Sequence, residues 1–285
     1  MSNLKEIRSR IVSVSSTMKI TSAMKMVSAA KLKRSQERMS NIKPYSEALS
    51  SMIQNLIGSM NRSELDLMTS FSETEKILLV PISSNRGLCG GFNSNVYKSC
   101  TQFGDLDQEV WTIGKKITDI FNRSQNNIIE TDIEVLNTLD YKNSKIISSR
   151  IIDGFKNGRW SKVYLIYNQF KNTATQIMSV KQLLPLKLEN KESSTERQDY
   201  IFEPDKTNII NMLIPQHIHT QLFEALLNSV ASEHGARMTA MHKATDNANE
   251  LKQELTLSYN RQRQAAITNE ILEIVAGAEA LKGTQ

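Results

Sequence analysis

Cysteine is nearly missing from this sequence: its 285 residues hold two, Cys89 and Cys100. Their spacing fits neither a redox C-x-x-C pair nor a zinc knuckle, which excludes a disulfide framework and points to a reducing compartment. Aromatic residues are scarce at 6%, and there are only 5 prolines and 11 glycines. That composition suits long helices and argues against a sandwich or barrel. No apolar run approaches the roughly 18 residues needed to cross a bilayer, and the N-terminus MSNLKEIRSR has no apolar signal-peptide region. The expectation is a protein that is soluble, or held at a membrane by partners.

What is present is unevenly placed. The net charge is +5, yet residues 1–43 carry ten Lys and Arg against Glu6 and Glu37, a local balance of +8 that leaves −3 for the rest. An acidic partner is implied for that segment: nucleic acid, anionic lipid or an acidic protein surface.

The same segment is patterned for a helix. Leu4, Ile7, Ile11, Val14 and Met18 follow a three-four spacing, the seam of a coiled coil. Beyond Met18 the stripe shifts through Ile20, Met24 and Val27 and resumes at Met39, Ile42, Leu49, Met52, Ile53 and Leu56, with a kink expected at Pro44. At the other end, Gln216 to Lys282 holds no proline, and a helix there reaches about 100 Å. Its stripe includes Phe223, Leu227, Val230, Ala248, Leu251 and Leu255, then Ile267, Ile271, Ile274, Ala278 and Leu281. The two ends are predicted to pair as an antiparallel coiled coil.

Between them the pattern alternates. Strands are predicted over 76–83, 109–114, 162–170 and 175–186, and helices over 92–103, 115–122 and 141–155. That order specifies a small α/β domain with a largely parallel sheet. The domains expected are residues 1–60 and 208–285 as coiled-coil helices and 75–205 as the α/β domain, with 189–198 as a surface loop.

Four features raise chemical questions. SSNRGLCGGFN (83–93) follows an apolar strand, where glycine-rich loops cradle phosphates, but the Lys-Ser/Thr of a P-loop and the G-x-G-x-x-G fingerprint are both missing. Backbone amides at the next helix could still hold an anion, against the plainer reading of a tight strand-to-helix turn. His217, His219, His234 and His242 form no metal-ligand pattern. The methionines fit coiled-coil filler, or a surface that repacks against several partner shapes. The basic N-terminal helix interleaves its cations with the seam, unlike a basic-zipper DNA reader, so a solvated face is preferred over nucleic-acid binding.

At this point five blocks become recognisable: KEIRSRI with STMKITSAMKMVSAAKL, NRGLCGGFN, YIFEPD (200–205), ASEHGARMTAMHKATDNANEL, and YNRQRQAAITNEILEIVAGAEAL. Over essentially its whole length the chain resembles the gamma subunit of the F-type ATP synthase. The resemblance implies a Rossmann-like α/β foot beneath the coiled coil, and a central rotating shaft that is not itself catalytic. The implied partners are the hexamer of alpha and beta subunits, the epsilon subunit and the c ring, with no cofactor, metal or nucleic acid.

It also implies roles by position. Arg8, Lys19 and Lys25 face acidic segments of beta. Arg263 and Gln264 meet a beta-subunit catch loop, and Ile267, Ile271 and Ile274 sit in the hexamer's apolar bearing. Phe202, Glu203 and Asp205 lie near the c ring. Membrane contact is expected only through the complex, at the cytoplasmic face of a bacterial cell membrane, since no transit peptide precedes KEIRSRI. Two departures stand out: Asn85 replaces the Asp of many relatives, and Gly235 replaces an Ala or Ser, predicting a softer helix there. The rival reading is an α/β nucleotide-binding enzyme oligomerised through its long helices.

Overall fold

A computed structural model describes residues 4–57, 75–104, 106–124, 127–186, 203 and 206–282. Two helices dominate, α1 (Leu4–Ile57) and α5 (Lys206–Lys282). Between them run β1 (Ile77–Pro81), α2 (Phe92–Cys100), β2 (Gln108–Ile113), α3 (Lys115–Arg123), β3 (Ile128–Asp132), α4 (Tyr141–Lys156), β4 (Lys162–Phe170) and β5 (Gln176–Leu184). The chain divides into two compact units, Met1–Val27 with Thr239–Gln285, and Ser28–Met238.

In the first unit the two long helices run antiparallel. The Thr21 and Thr245 hydroxyls meet at 2.8 Å. Partial burial runs back along α1 to Leu4 and forward along α5 to Gln262. Those two residues lie equally far from the bonded threonines in opposite chain directions, as antiparallel pairing requires. From Arg263 to Glu279 every residue of α5 is exposed.

The expected shift of the α1 stripe after Met18 does not occur. Ile20 and Val27 are 60% and 56% exposed, while the buried or half-buried positions continue as Thr21, Lys25, Ser28, Leu32, Ser35, Met39, Ile42, Ser46, Leu49, Ile53 and Leu56. The three-four spacing never slips. Small hydroxyl residues hold the seam because each can satisfy its own polar atom. Ser35 Oγ donates to the Lys31 carbonyl at 3.0 Å, and Ser46 Oγ donates to Glu224 at 3.0 Å. Helix α1 is continuous through Pro44. Pro44 and Ser40, whose carbonyl loses its helical donor, are both exposed, which leaves that carbonyl open to solvent.

The second unit is built on a five-stranded sheet of order β3-β2-β1-β4-β5. All pairings are parallel except β4 with β5. Four strands lie within the predicted windows to a residue or two. The fifth, β3, is new, an edge strand with no fully buried residue. Alternation along β1 serves two faces. Leu78, Val80 and Ile82 pack with Ile151 and Phe155 of α4 and with Ile214, Ile218, Leu222 and Leu226 of α5. Ile77 and Leu79 face Val96 of α2 with Ile117 and Phe121 of α3. A three-layer domain with two apolar interfaces results. At one end of the sheet Glu109 is buried, and it accepts bonds from Trp160 Nε1 at 2.8 Å and Arg159 Nε at 3.0 Å. Burial alone would raise its carboxyl pKa, but the Trp160 bond and the Arg159 charge outweigh it and hold the group below the usual range.

Candidate functional site

The glycine-rich turn leaves the C-terminal end of β1, where a parallel sheet of this type places its ligand crevice. Leu88 and Gly90 take φ values of 63° and 60°, the left-handed bends that reverse the chain into α2. Gly114 opens α3 at φ 101°, and a Cβ there would stand 2.6 Å from the Ser83 carbonyl oxygen. Only glycine lets the turn come this close.

That closeness decides the fate of the α3 N-terminus, whose unpaired amides would otherwise suit a phosphate. Lys115 N–H donates to Asn85 Oδ1 at 3.0 Å, Lys116 N–H to the Ser84 carbonyl at 3.0 Å, and Ile117 N–H to Ser83 Oγ at 3.0 Å. Three donors are thus consumed by the turn itself. The other end of Asn85 is engaged as well, its Nδ2 donating to the Ile133 carbonyl at 3.0 Å and to Asn137 Oδ1 at 3.1 Å. An aspartate would keep the acceptor role and lose both donor roles. The plainer reading of RGLCGG as a tight strand-to-helix turn is the one this geometry supports.

The turn is also fastened from outside. Arg237 of α5 donates through Nη2 to the Arg86 carbonyl at 3.0 Å and through Nε to the Gly87 carbonyl at 3.2 Å. Its Nη1 pairs with Glu233 at 2.7 Å, one helical turn back, with the two side chains 9% and 12% exposed. Burial pushes the Glu233 carboxyl up while Arg237 pulls it down, and burial wins. Two blocks of the family resemblance, NRGLCGG and ASEHGARM, are therefore joined physically. Sequence reading could not link them, since 150 residues separate Gly87 from Arg237.

Neither cysteine is poised as a nucleophile. Burial raises the Cys89 thiol pKa, and Asn93 Nδ2 donates to its sulfur at 3.3 Å. Burial pushes Cys100 up to about 12, so both stay protonated at neutral pH. Burial lowers His217 and His234 to about 4, and it lowers His219, whose Nδ1 lies 2.6 Å from Ser148 Oγ. Among the described residues no group of three metal-ligating side chains converges.

The residues expected to meet partners do not converge on one site. Arg8 and Lys19 are exposed on α1, and Lys25 is half-buried on its seam. Arg263, Gln264, Ile267, Ile271 and Ile274 are all exposed on the tail of α5, together with Leu272 and Val275. Glu203 is exposed, and Phe202 and Asp205 lie outside the described residues. A helical tail that exposes five large apolar side chains is the kind of surface that marks an interaction site.

Comparison with known proteins decides the family. A family profile described as ATP synthase matches residues 3–281. The chain is 50% identical to the ATP synthase gamma chain of Flavobacterium psychrophilum and 51% identical to that of Flavobacterium johnsoniae, over 99% of this chain and 100% of each relative. It belongs to the ATP synthase gamma-chain family. As a gamma chain it is a central-stalk subunit of the rotor, and solved rotors share its fold. A chain from the Tetrahymena thermophila mitochondrial ATP synthase central stalk and c ring superposes with a TM-score of 0.63 at 25% identity, covering 79% of this chain and 99% of that one. A Euglena gracilis mitochondrial ATP synthase rotor chain gives 0.67 at 19% identity, covering 93% and 98%. In this gamma chain the glycine-rich block is a fold element fastened to α5.

Proposed function

We propose that this gamma chain is the rotating shaft that couples ion-driven turning of the c ring to conformational change in the catalytic beta subunits, and that it carries no catalytic site of its own. Residues 1–60 and 208–285 serve as the shaft and 75–205 as the foot. The observation that carries this reading is the bare α5 tail, where Ile267, Ile271, Leu272, Ile274 and Val275 are exposed and every described residue from Arg263 to Glu279 is uncovered.

Each expected contact has a physical rationale. The tail enters the bearing of an alpha–beta hexamer, where Ile267, Ile271 and Ile274 supply contact without directional bonds. Arg263 and Gln264 meet a polar loop of beta. Arg8, Lys19 and Lys25 face acidic beta segments, where their charge steers and positions. Phe202, Glu203 and Asp205 face the c ring, and the epsilon subunit binds the foot. An asymmetric shaft shifts each beta subunit because it contacts one conformation better than another, the only route by which a partner biases an equilibrium. The complex sits on the cytoplasmic face of a bacterial membrane.

Reconstitution tests this directly. The purified chain, mixed with alpha and beta subunits from the same source, is expected to form a stable complex whose sustained ATP hydrolysis depends on it, while the chain alone hydrolyses nothing. Turnover by the chain alone, without a complex, would return attention to the glycine-rich turn as an active site.

A further inference from the structure

Arg237 belongs to α5, and the two carbonyls in its fork belong to the turn that leaves β1, the central strand of the sheet. Its guanidinium and the Glu233 carboxylate are nearly enclosed, so little water is at hand to replace a lost partner. A planar fork satisfies two carbonyls and a carboxylate in one orientation only. Most of the α5 residues against the sheet, such as Leu222 and Leu226, are apolar, and apolar attraction is non-directional; Asn228 adds one bond, accepting from the Phe170 N–H at the end of β4 at 3.4 Å. Glu233 also feels Lys31 of α1 and Arg86 of the turn, so cations from three elements converge on one carboxylate.

We propose that Arg237 is a positioning residue of the rotor, keying the turn after β1 to helix α5 so that torsion applied to the sheet enters the helix without slip. This rests on the shaft reading above. Substitution should therefore loosen coupling before it harms hydrolysis, because the contacts it breaks lie within this chain, which in the reading above carries no catalytic site.

The test uses the complete complex in inverted membrane vesicles, carrying the unsubstituted chain, Arg237→Ala or Arg237→Lys. Subunit content, ATP hydrolysis, ion uptake per ATP and amide exchange over residues 86–91 are measured. In Arg237→Ala, hydrolysis should stay within about twofold while ion uptake per ATP falls about threefold and exchange over the turn rises about tenfold. Arg237→Lys keeps the charge but not the fork, and should fall between. Ion uptake per ATP that is unchanged in both variants overturns the proposal even where exchange rises, since a merely structural contact loosens the turn without touching coupling. Should Arg237→Ala fail to assemble, the same ratio in Arg237→Lys decides. An unsubstituted chain that neither assembles nor couples would instead overturn the shaft reading itself.

Discussion

Gly154 and Gly235 both lie inside helices, where glycine normally costs about 0.5–1 kcal/mol relative to alanine. Their surroundings give them opposite roles. A Cβ on Gly154 would overlap the Trp160 ring, which is held by its bond to buried Glu109. Gly154→Ala should cost about 1–3 kcal/mol through overpacking, read as a lower denaturant midpoint. A Cβ on Gly235 would meet Phe170 at 3.4 Å and the Thr173 carbonyl at 3.5 Å, which is ordinary contact. Gly235→Ala should raise stability by about 0.5–1 kcal/mol in the same measurement. The departure at 235 was legible in the sequence, but its burial under the β4–β5 turn was not, because Phe170 and Thr173 are remote in the chain. Arg237 was hidden for the same reason: nothing local distinguishes it from any other basic residue of a helix.

Among the elements, the α5 tail separates stability from assembly. Ile271 is 55% exposed, so Ile271→Asp should change the stability of the chain itself by less than about 0.5 kcal/mol. Capture by the alpha and beta subunits should weaken clearly, because a carboxylate would have to enter the apolar bearing proposed for this tail. An unchanged capture would remove the tail from the contact surface. Strands β1 and β4 were readable because ILLV and VYLIY are continuous apolar runs, as strands buried on both faces must be, and β2 was readable from Val110, Trp111 and Ile113. Strand β3 escaped because IIETD lies at the edge, half polar and half buried. The α1 seam was half readable. Its apolar positions announced the heptad, while Thr21, Ser28, Ser35 and Ser46 looked like gaps, since their fit depends on hydroxyl bonds that hydropathy does not register.

For the molecule as a whole, the buried histidines set an acid limit. His217 and His234, both brought by burial to about 4, are neutral in folded and unfolded chains above the ordinary histidine value of roughly 6.5. As pH falls from there towards 4 the unfolded chain takes up protons first, so stability drops through that window and the loss levels off below it. The expected loss is on the order of 3 kcal/mol per histidine. Glu233 acts in the opposite sense, because its raised pKa lets the folded chain bind a proton first as pH falls. Denaturant midpoints measured from pH 7 to pH 4 should show a net fall, and His234→Gln should flatten it. A profile unchanged by that substitution would mean His234 is open to solvent.

The uninterrupted seven-residue rhythm of α1 carries a mechanical consequence. A seam that repeats every 3.5 residues on a helix of 3.6 residues per turn winds a helix pair to the left. Like a laid rope, such a pair has a hand: twist of one sense draws the strands together, and twist of the other opens them. Rotation that makes ATP and rotation that consumes it therefore strain the same two strands in unlike ways, one as compression of the seam and the other as its loosening.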